Sequence, residues 1–329
     1  MGGSQSSWST PGGGQWALPA GIACLESDLD ATQKVYVGPP LNPPMLMLQD
    51  NTSGHGEYVR VMALDLCSGR LISGGGDGAI RIWNLADKLE FAHEVHAMSV
   101  RSLLVWERYL LSGHPDGTVY VWSLPGLDLL QTIKYHNEAV YAMCDAGDRV
   151  LIGADGISVH TKGQPGFWTG KADCFDCVKT VPAEVLSMCR LPDGSFVTGN
   201  MDRSLQVWTS EVEHKKTIAA HSRSIWAVVY AEPFLISGSA DNTIKVWGPD
   251  DWSLIRVIEE HDGWVVGLSA SGKWLASASL DHTVRLWNLD TFRCARVLED
   301  HKDEIYCCHI VGNMVFTGGV DENILMYCE

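Results

Sequence analysis

Apolar residues in this chain fall in short runs, and within each run polar and apolar positions tend to alternate. One kind of run is VRVMAL from Val59, IWAVVY from Ile225, VVGLSA from Val265 and IYCCHI from Ile305. A second is compact (LIS, LLS, VLI, FVT, LIS, LAS and VFT along the chain), and a third ends in an aromatic, as in AIRIW, TVYVW, TIKVW and TVRLW. A fourth, LIRVIEE from Leu254 or CARVLED from Cys294, closes each group. β-Branched residues at a period of two, broken by Gly, Asp and Asn, predict strands joined by turns.

The groups repeat. Six Asp residues each stand six positions before an aromatic: SGGGDGAIRIW from Ser73, SGHPDGTVYVW from Ser112, TGNMDRSLQVW from Thr198, SGSADNTIKVW from Ser237, SASLDHTVRLW from Ser277 and TGGVDENILMY from Thr317. A worn copy, GADGISVH from Gly153, fills the one gap. The steps from Asp77 through Asp116, Asp155, Asp202, Asp241 and Asp281 to Asp321 are 39, 39, 47, 39, 40 and 40 residues. A period near 40 means one supersecondary unit copied seven times. Asp-Gly at Asp77, Asp116 and Asp155 marks a tight hairpin between the second and third strands. Four strands linked by turns make one antiparallel blade, so the expected fold is all-β, a seven-bladed propeller.

A His stands four residues before six of the seven first strands: His55–Val59, His96–Val100, His136–Val140, His221–Ile225, His261–Val265 and His301–Ile305. With this spacing the chain resembles the WD-repeat family over residues 45–329. The resemblance implies that the His, a second-strand Ser or Thr, the turn Asp and the third-strand Trp form one hydrogen-bonded set. Here the sets are His55, Ser73, Asp77 and Trp83; His96, Ser112, Asp116 and Trp122; His221, Ser237, Asp241 and Trp247; and His261, Ser277, Asp281 and Trp287. The last blade keeps His301, Thr317 and Asp321 but ends in Tyr327. A buried carboxylate is costly unless several donors satisfy it, and imidazole, hydroxyl and turn amides do so. A Ser-His-Asp nucleophile needs one exposed site, whereas this set recurs around the ring, so its role is structural.

Two blades depart from the pattern. The third lacks the second-strand Ser and the Trp, with His160 near the aromatic position, and the fourth has Val181 where its His belongs. The long step of 47 between Asp155 and Asp202 places an extra loop near residues 163–173. The chain ends at Glu329, after the third strand of the last blade, while MLMLQ from Met45 sits where a fourth strand precedes every other His. The N-terminal segment is therefore expected to close the last blade.

Composition narrows the function. No apolar stretch reaches the roughly 18 residues of a membrane span. Net charge is −16, from 24 basic and 40 acidic residues, with no Lys/Arg cluster, which argues against direct binding of nucleic acid. The 10 Cys are scattered, several inside strands, and no secretory signal is evident. They read as free thiols in a reducing compartment, cytoplasmic or nuclear. Cys174 and Cys177 have CxxC spacing but no second pair, so neither a metal nor any other cofactor is expected. Residues 1–44, rich in Gly, Ser and Pro, read as a flexible tail. Its start, MGGSQS, fits a myristoylation pattern with Gly2 as acceptor. One such chain without a polybasic stretch gives weak membrane tethering at most.

The resemblance also implies a binding face. In the family, the residue after the first strand position lines the mouth of the central channel, which here gives Arg60, Arg101, Tyr141, Leu186, Trp226, Val266 and Tyr306. Two positions earlier lie Tyr58, Ser99, Ala139, Glu184, Ser224, Trp264 and Glu304. Arg, Tyr and Trp dominate interface hot spots, so Tyr58, Arg60, Arg101, Tyr141, Trp226, Trp264 and Tyr306 form the candidate partner-binding rim. The expected function is a non-catalytic scaffold that holds partner peptides or loops at the ring mouth within a multiprotein complex. The alternative is a substrate receptor or regulatory subunit of a ubiquitin ligase. It is weakened because no F-box-like segment precedes the ring and no third strand continues as W-D-x-R. No phosphate loop, carboxylate cluster or nucleophile motif suggests an enzyme.

Overall fold

The computed structural model describes residues 7–9, 15–17, 46–47, 55–65, 67–84, 88–94, 98–162, 175–248 and 251–328. Gly2, His96, Cys174 and the insert at 163–173 lie outside them. The described residues form seven four-stranded antiparallel sheets and a small pair, Ser7–Ser9 with Gln15–Ala17; no helix occurs among them.

Each sheet is one blade, and six of them are built from four consecutive runs. Blade 1 comprises Val59–Asp65, Arg70–Gly75, Ala79–Asn84 and Lys88–Glu94, and blade 2 Ser102–Trp106, Tyr109–Gly113, Thr118–Ser123 and Leu129–Lys134. Blade 3 comprises Ala142–Asp145, Arg149–Gly153, Gly156–Lys162 and Phe175–Pro182, and blade 4 Val185–Arg190, Phe196–Asn200, Ser204–Trp208 and His214–Ala219. Blade 5 runs Ile225–Ala231, Phe234–Ser239, Ile244–Trp247 and Leu254–Ile258, and blade 6 Val265–Ser271, Trp274–Ser279, Val284–Asn288 and Arg293–Leu298. Blade 7 has Ile305–Val311, Met314–Gly319 and Ile324–Cys328, and its outer strand is Leu46–Met47, with Leu46 opposite Met326 and Met47 opposite Leu325. The innermost strands touch in cyclic order, and that of blade 7 meets that of blade 1.

The core is shared out between blades rather than held within them. Seven buried clusters each join two neighbours; one, for instance, combines Val59, Leu71 and Trp83 of blade 1 with Phe316, Ile324 and Met326 of blade 7. Each fully buried aliphatic side chain contributes about 1.5–3 kcal/mol. The Gly of the repeated Ser/Thr-Gly pair makes this packing possible. A Cβ on Gly74 would lie 2.6 Å from the Val100 side chain, and one on Gly318 would lie 2.7 Å from that of Val59. Second strands such as Tyr109–Gly113 are buried throughout, whereas the outer strand His214–Ala219 is mostly exposed.

The turn after each Asp explains why Gly is replaceable there. The following residue is left-handed not only at Gly78 and Gly117 but also at Arg203 (φ 76°), Asn242 (φ 69°), His282 (φ 70°) and Glu322 (φ 66°). The Asp carboxylate accepts the amide two residues on, as Asp241 does from Thr243 at 3.1 Å and Asp281 from Thr283 at 3.0 Å. That bond holds a conformation which side chains otherwise resist.

Candidate functional site

The His–Asp–hydroxyl sets lie on the face of the ring that carries the Asp turns. In blade 6 the Trp287 indole N–H donates to Ser277 Oγ at 2.8 Å, and Ser277 Oγ lies 2.7 Å from His261 Nε2. His261 Nδ1 lies 2.6 Å from Asp281, which also accepts the Asp262 amide at 3.1 Å. Because Nδ1–H must donate to the carboxylate, Nε2 is the acceptor for the Ser hydroxyl. The same order of contacts occurs in blade 1 (Trp83, Ser73, His55, Asp77) and blade 5 (Trp247, Ser237, His221, Asp241). In blade 1, Arg81 adds an ion pair to Asp77 at 2.7 Å. In blade 7, His301 joins Thr317 at 2.7 Å and Asp321 at 2.9 Å, while the Tyr327 hydroxyl donates to Asp300 at 3.1 Å.

Blade 3 corrects the expectation that its hydroxyl is missing. Ser158, on the third strand directly opposite Ile152, lies 2.8 Å from His136 Nε2, and His136 Nδ1 lies 2.7 Å from Asp155. His160 Nε2 lies 2.9 Å from the same hydroxyl. Since Ser158 gives its proton to His136, His160 must donate, doing the work of the indole N–H elsewhere. In blade 2, Ser112 takes the Trp122 indole N–H at 3.0 Å and lies 3.1 Å from His114 Nε2, a contact absent from the sequence reading. Asp116 is held by Thr118 and by Lys134 at 3.2 Å. Blade 4 retains the bond from Trp208 to Thr198 at 3.1 Å, and Asp202 takes the Ser204 hydroxyl and amide.

At the ring mouth, the first strands of blades 1, 4, 5, 6 and 7 slip register at Arg60, Leu186, Trp226, Val266 and Tyr306. A bulge leaves one residue out of the ladder and re-aims its side chain, which is how the strand delivers these groups. The Arg60 guanidinium sits 4.6 Å from the centre of the Tyr306 ring and 5.7 Å from that of Trp226. Tyr58 meets Tyr306 edge-on at 5.6 Å, Tyr141 meets Trp226 edge-on at 5.7 Å, and Trp264 stacks on Trp226 at 6.4 Å. Blades 1 and 5 are not neighbours, nor are 3 and 5, so the Arg60–Trp226 and Tyr141–Trp226 contacts run across the channel mouth, while the others join adjacent blades. Leu186 is buried instead, and Trp264 is the most open member at 39% exposed. A Cβ on Gly76 would lie 2.6 Å from the Tyr58 ring, so Gly there leaves room for that side chain.

Charge at the mouth is uneven. Burial, and then the like charge of Arg101, lower the pKa of Arg60. Burial and the Glu304 carboxylate raise that of Tyr306, whose hydroxyl donates to Glu304 at 3.3 Å. Outward from Trp264 a depression between blades 5 and 6 is lined by Arg223, Asn242, Asp262 and Glu304 among others. The mutual contacts of the rim side chains could not be read from the sequence, which shows equivalent positions but not which ones meet.

The profile of the WD domain, G-beta repeat family matches residues 48–84, 175–209, 212–248, 252–288 and 292–328. These windows cover more than half of the chain. The chain belongs to the WD40 family. Among curated relatives, Protein HIR1 of Kluyveromyces lactis is 26% identical over 59% of this chain and 22% of its own length. Ribosome biogenesis protein YTM1 of Eremothecium gossypii is 25% identical over 57% of this chain and 44% of its own. The WD40 chain therefore spans less than half the length of these relatives. Among solved structures, the computationally designed Ika8 protein superposes with a TM-score of 0.64 and 20% identity, over 84% of this chain and 98% of that one, a likeness of fold.

Within the WD40 ring, burial lowers the pKa of His55 despite its bond to Asp77, and burial lowers that of His309. Burial alone would raise the carboxyls of Asp77, Asp241, Asp281 and Asp321, but their His and amide partners outweigh it and hold all four well below the ordinary 3.8, Asp321 at about 2. Both kinds of group bind protons more readily when unfolded, so both lose stability as the solution is acidified. Thermal midpoints measured against pH should be level near neutrality, begin to fall below the ordinary His value of 6.5, and fall again below 3.8. His55→Gln should reduce the first decline, and an unchanged pH profile would contradict the assignment. Among the buried thiols, Cys144 and Cys307 are pushed up to about 12 by burial, so they are inert at neutral pH.

Proposed function

We propose that this protein is a non-catalytic interaction platform whose ring mouth receives a peptide or loop of a partner within a larger complex. WD40 propellers generally serve as protein-interaction scaffolds, and the relatives named above are a ribosome biogenesis factor and HIR1. The observation that carries the reading is the set of aromatic and Arg side chains meeting around the mouth, the residue types that anchor interfaces. Tyr141, Trp226 and Tyr306 supply apolar contact, and Arg60 and Arg101 supply charge. With its net charge of −16, a phosphate-driven contact with nucleic acid is disfavoured, and a nuclear or cytoplasmic setting fits the free thiols.

The test is affinity capture from the native cell with the intact chain and with Trp226→Ala and Arg101→Glu. Specific partners should be retained by the first and lost from both variants, while thermal midpoints stay close to that of the parent. Partners indifferent to both substitutions would place the contact elsewhere on the ring.

A further inference from the structure

Five aromatic side chains around a channel invite the reading that they form a cage for an incoming cation. The contacts argue otherwise. The rings of Tyr306 and Trp226 already face a cation of the protein's own, Arg60, and Arg101 is close enough to depress it further. A second ammonium or guanidinium would meet two positive charges. Arg60 makes no ion pair with a carboxylate among the described residues; the rings of Tyr306 and Trp226 are what face it. Two donors are also buried without an acceptor, Arg101 Nε and the indole Nε1 of Trp226. A desolvated cation without an ion-pair partner and two unspent N–H groups are costly alone and favourable once an anion arrives.

We propose that the mouth takes the carboxylate of an acidic side chain on a partner loop, held by Arg60, Arg101 and the Trp226 indole N–H. This rests on the ring-mouth reading above and adds the chemistry of the group that enters. A monoanion fits better than a phosphate, because Glu304, which takes the Tyr306 hydroxyl, stands beside the mouth and repels a second negative charge more strongly. The partner chain continues from the acid over Trp264 into the depression between blades 5 and 6, where that half-exposed ring offers an apolar surface.

The purified protein is panned against a phage-displayed random peptide library, and an enriched peptide is synthesised with Glu, Gln or phosphoserine at its shared acidic position. The Gln form should bind the intact protein at least about tenfold more weakly than the Glu form. Arg101→Met should abolish that difference. The Gln comparison uses the unaltered protein, so it holds even if the Arg101 variant folds poorly. Enrichment of Lys- or Arg-bearing peptides, equal binding of the Glu and Gln forms, or phosphoserine binding about tenfold tighter than Glu would each overturn the carboxylate assignment. If such peptides still lost binding to Trp226→Ala, the mouth would remain the docking site. If no peptide depended on Trp226, the docking reading itself would fall, and this inference with it.

Discussion

Ser277→Ala should destabilise the ring by about 3 kcal/mol, because the hydroxyl it removes serves two buried partners at once. Trp287 loses its acceptor and His261 loses its donor, at 2.8 and 2.7 Å, and Trp287 is fully buried, so water cannot substitute. In a domain of this size the thermal midpoint should fall by ~6 °C, measured by circular dichroism. Ser158→Ala should cost as much although its blade has no Trp, since His136 and His160 both depend on that oxygen. Thr198→Val should cost only about 1 kcal/mol, because Trp208 is the side chain that bonds there. The ranking is the test: equal effects at Ser277 and Thr198 would show that the His bond adds nothing.

A larger effect is expected from deleting residues 45–49. Leu46 and Met47 pair with Met326 and Leu325, and their removal leaves Ile324–Cys328 as an unpaired edge. Ile324, Leu325 and Met326 are each about fully buried in the intact ring, so the new edge borders apolar side chains and invites pairing with another copy. The truncated protein should melt well below the effect of any single substitution above and should associate, as read by light scattering during gel filtration. A monomer with an unaltered midpoint would mean that the strand is dispensable.

The repeat made most of the architecture legible. A step near 40, a His four residues before six of the first strands and an aromatic six after six of the Asp residues were enough to place seven sheets, because each signal reflects a local requirement: alternation, turn geometry or a buried carboxylate. Blade 3 was misread for a physical reason. Its hydroxyl moved from the second strand to the facing position on the third, Ser158, and its donor became His160, so the hydrogen bonds survived while the spacing did not. A search for donors and acceptors on facing residues, rather than for fixed offsets, would have found both. His114 was missed because it lies two residues from Ser112 on the same segment, outside the repeated offset. At the mouth, equivalence among blades gave the positions of Arg60, Trp226 and Tyr306. Which side chains meet across an open ring depends on bulges and side-chain directions that no repeat pattern encodes.

The junction between Val59 and Gly318 bears on how the molecule comes into being. Because every cluster needs the blade next to it, a chain leaving the ribosome can bury the interfaces of blades 1 to 6 in turn, but the near side of blade 1 stays bare until Gly318 has been made. Contacts separated by some 260 positions carry a large closure entropy and form late. For that interval Val59, Leu71 and Trp83 are exposed to whatever else the nascent chain meets. Substitutions in blade 7 should therefore reduce the yield of native protein in the cell more than equally destabilising ones in blade 4.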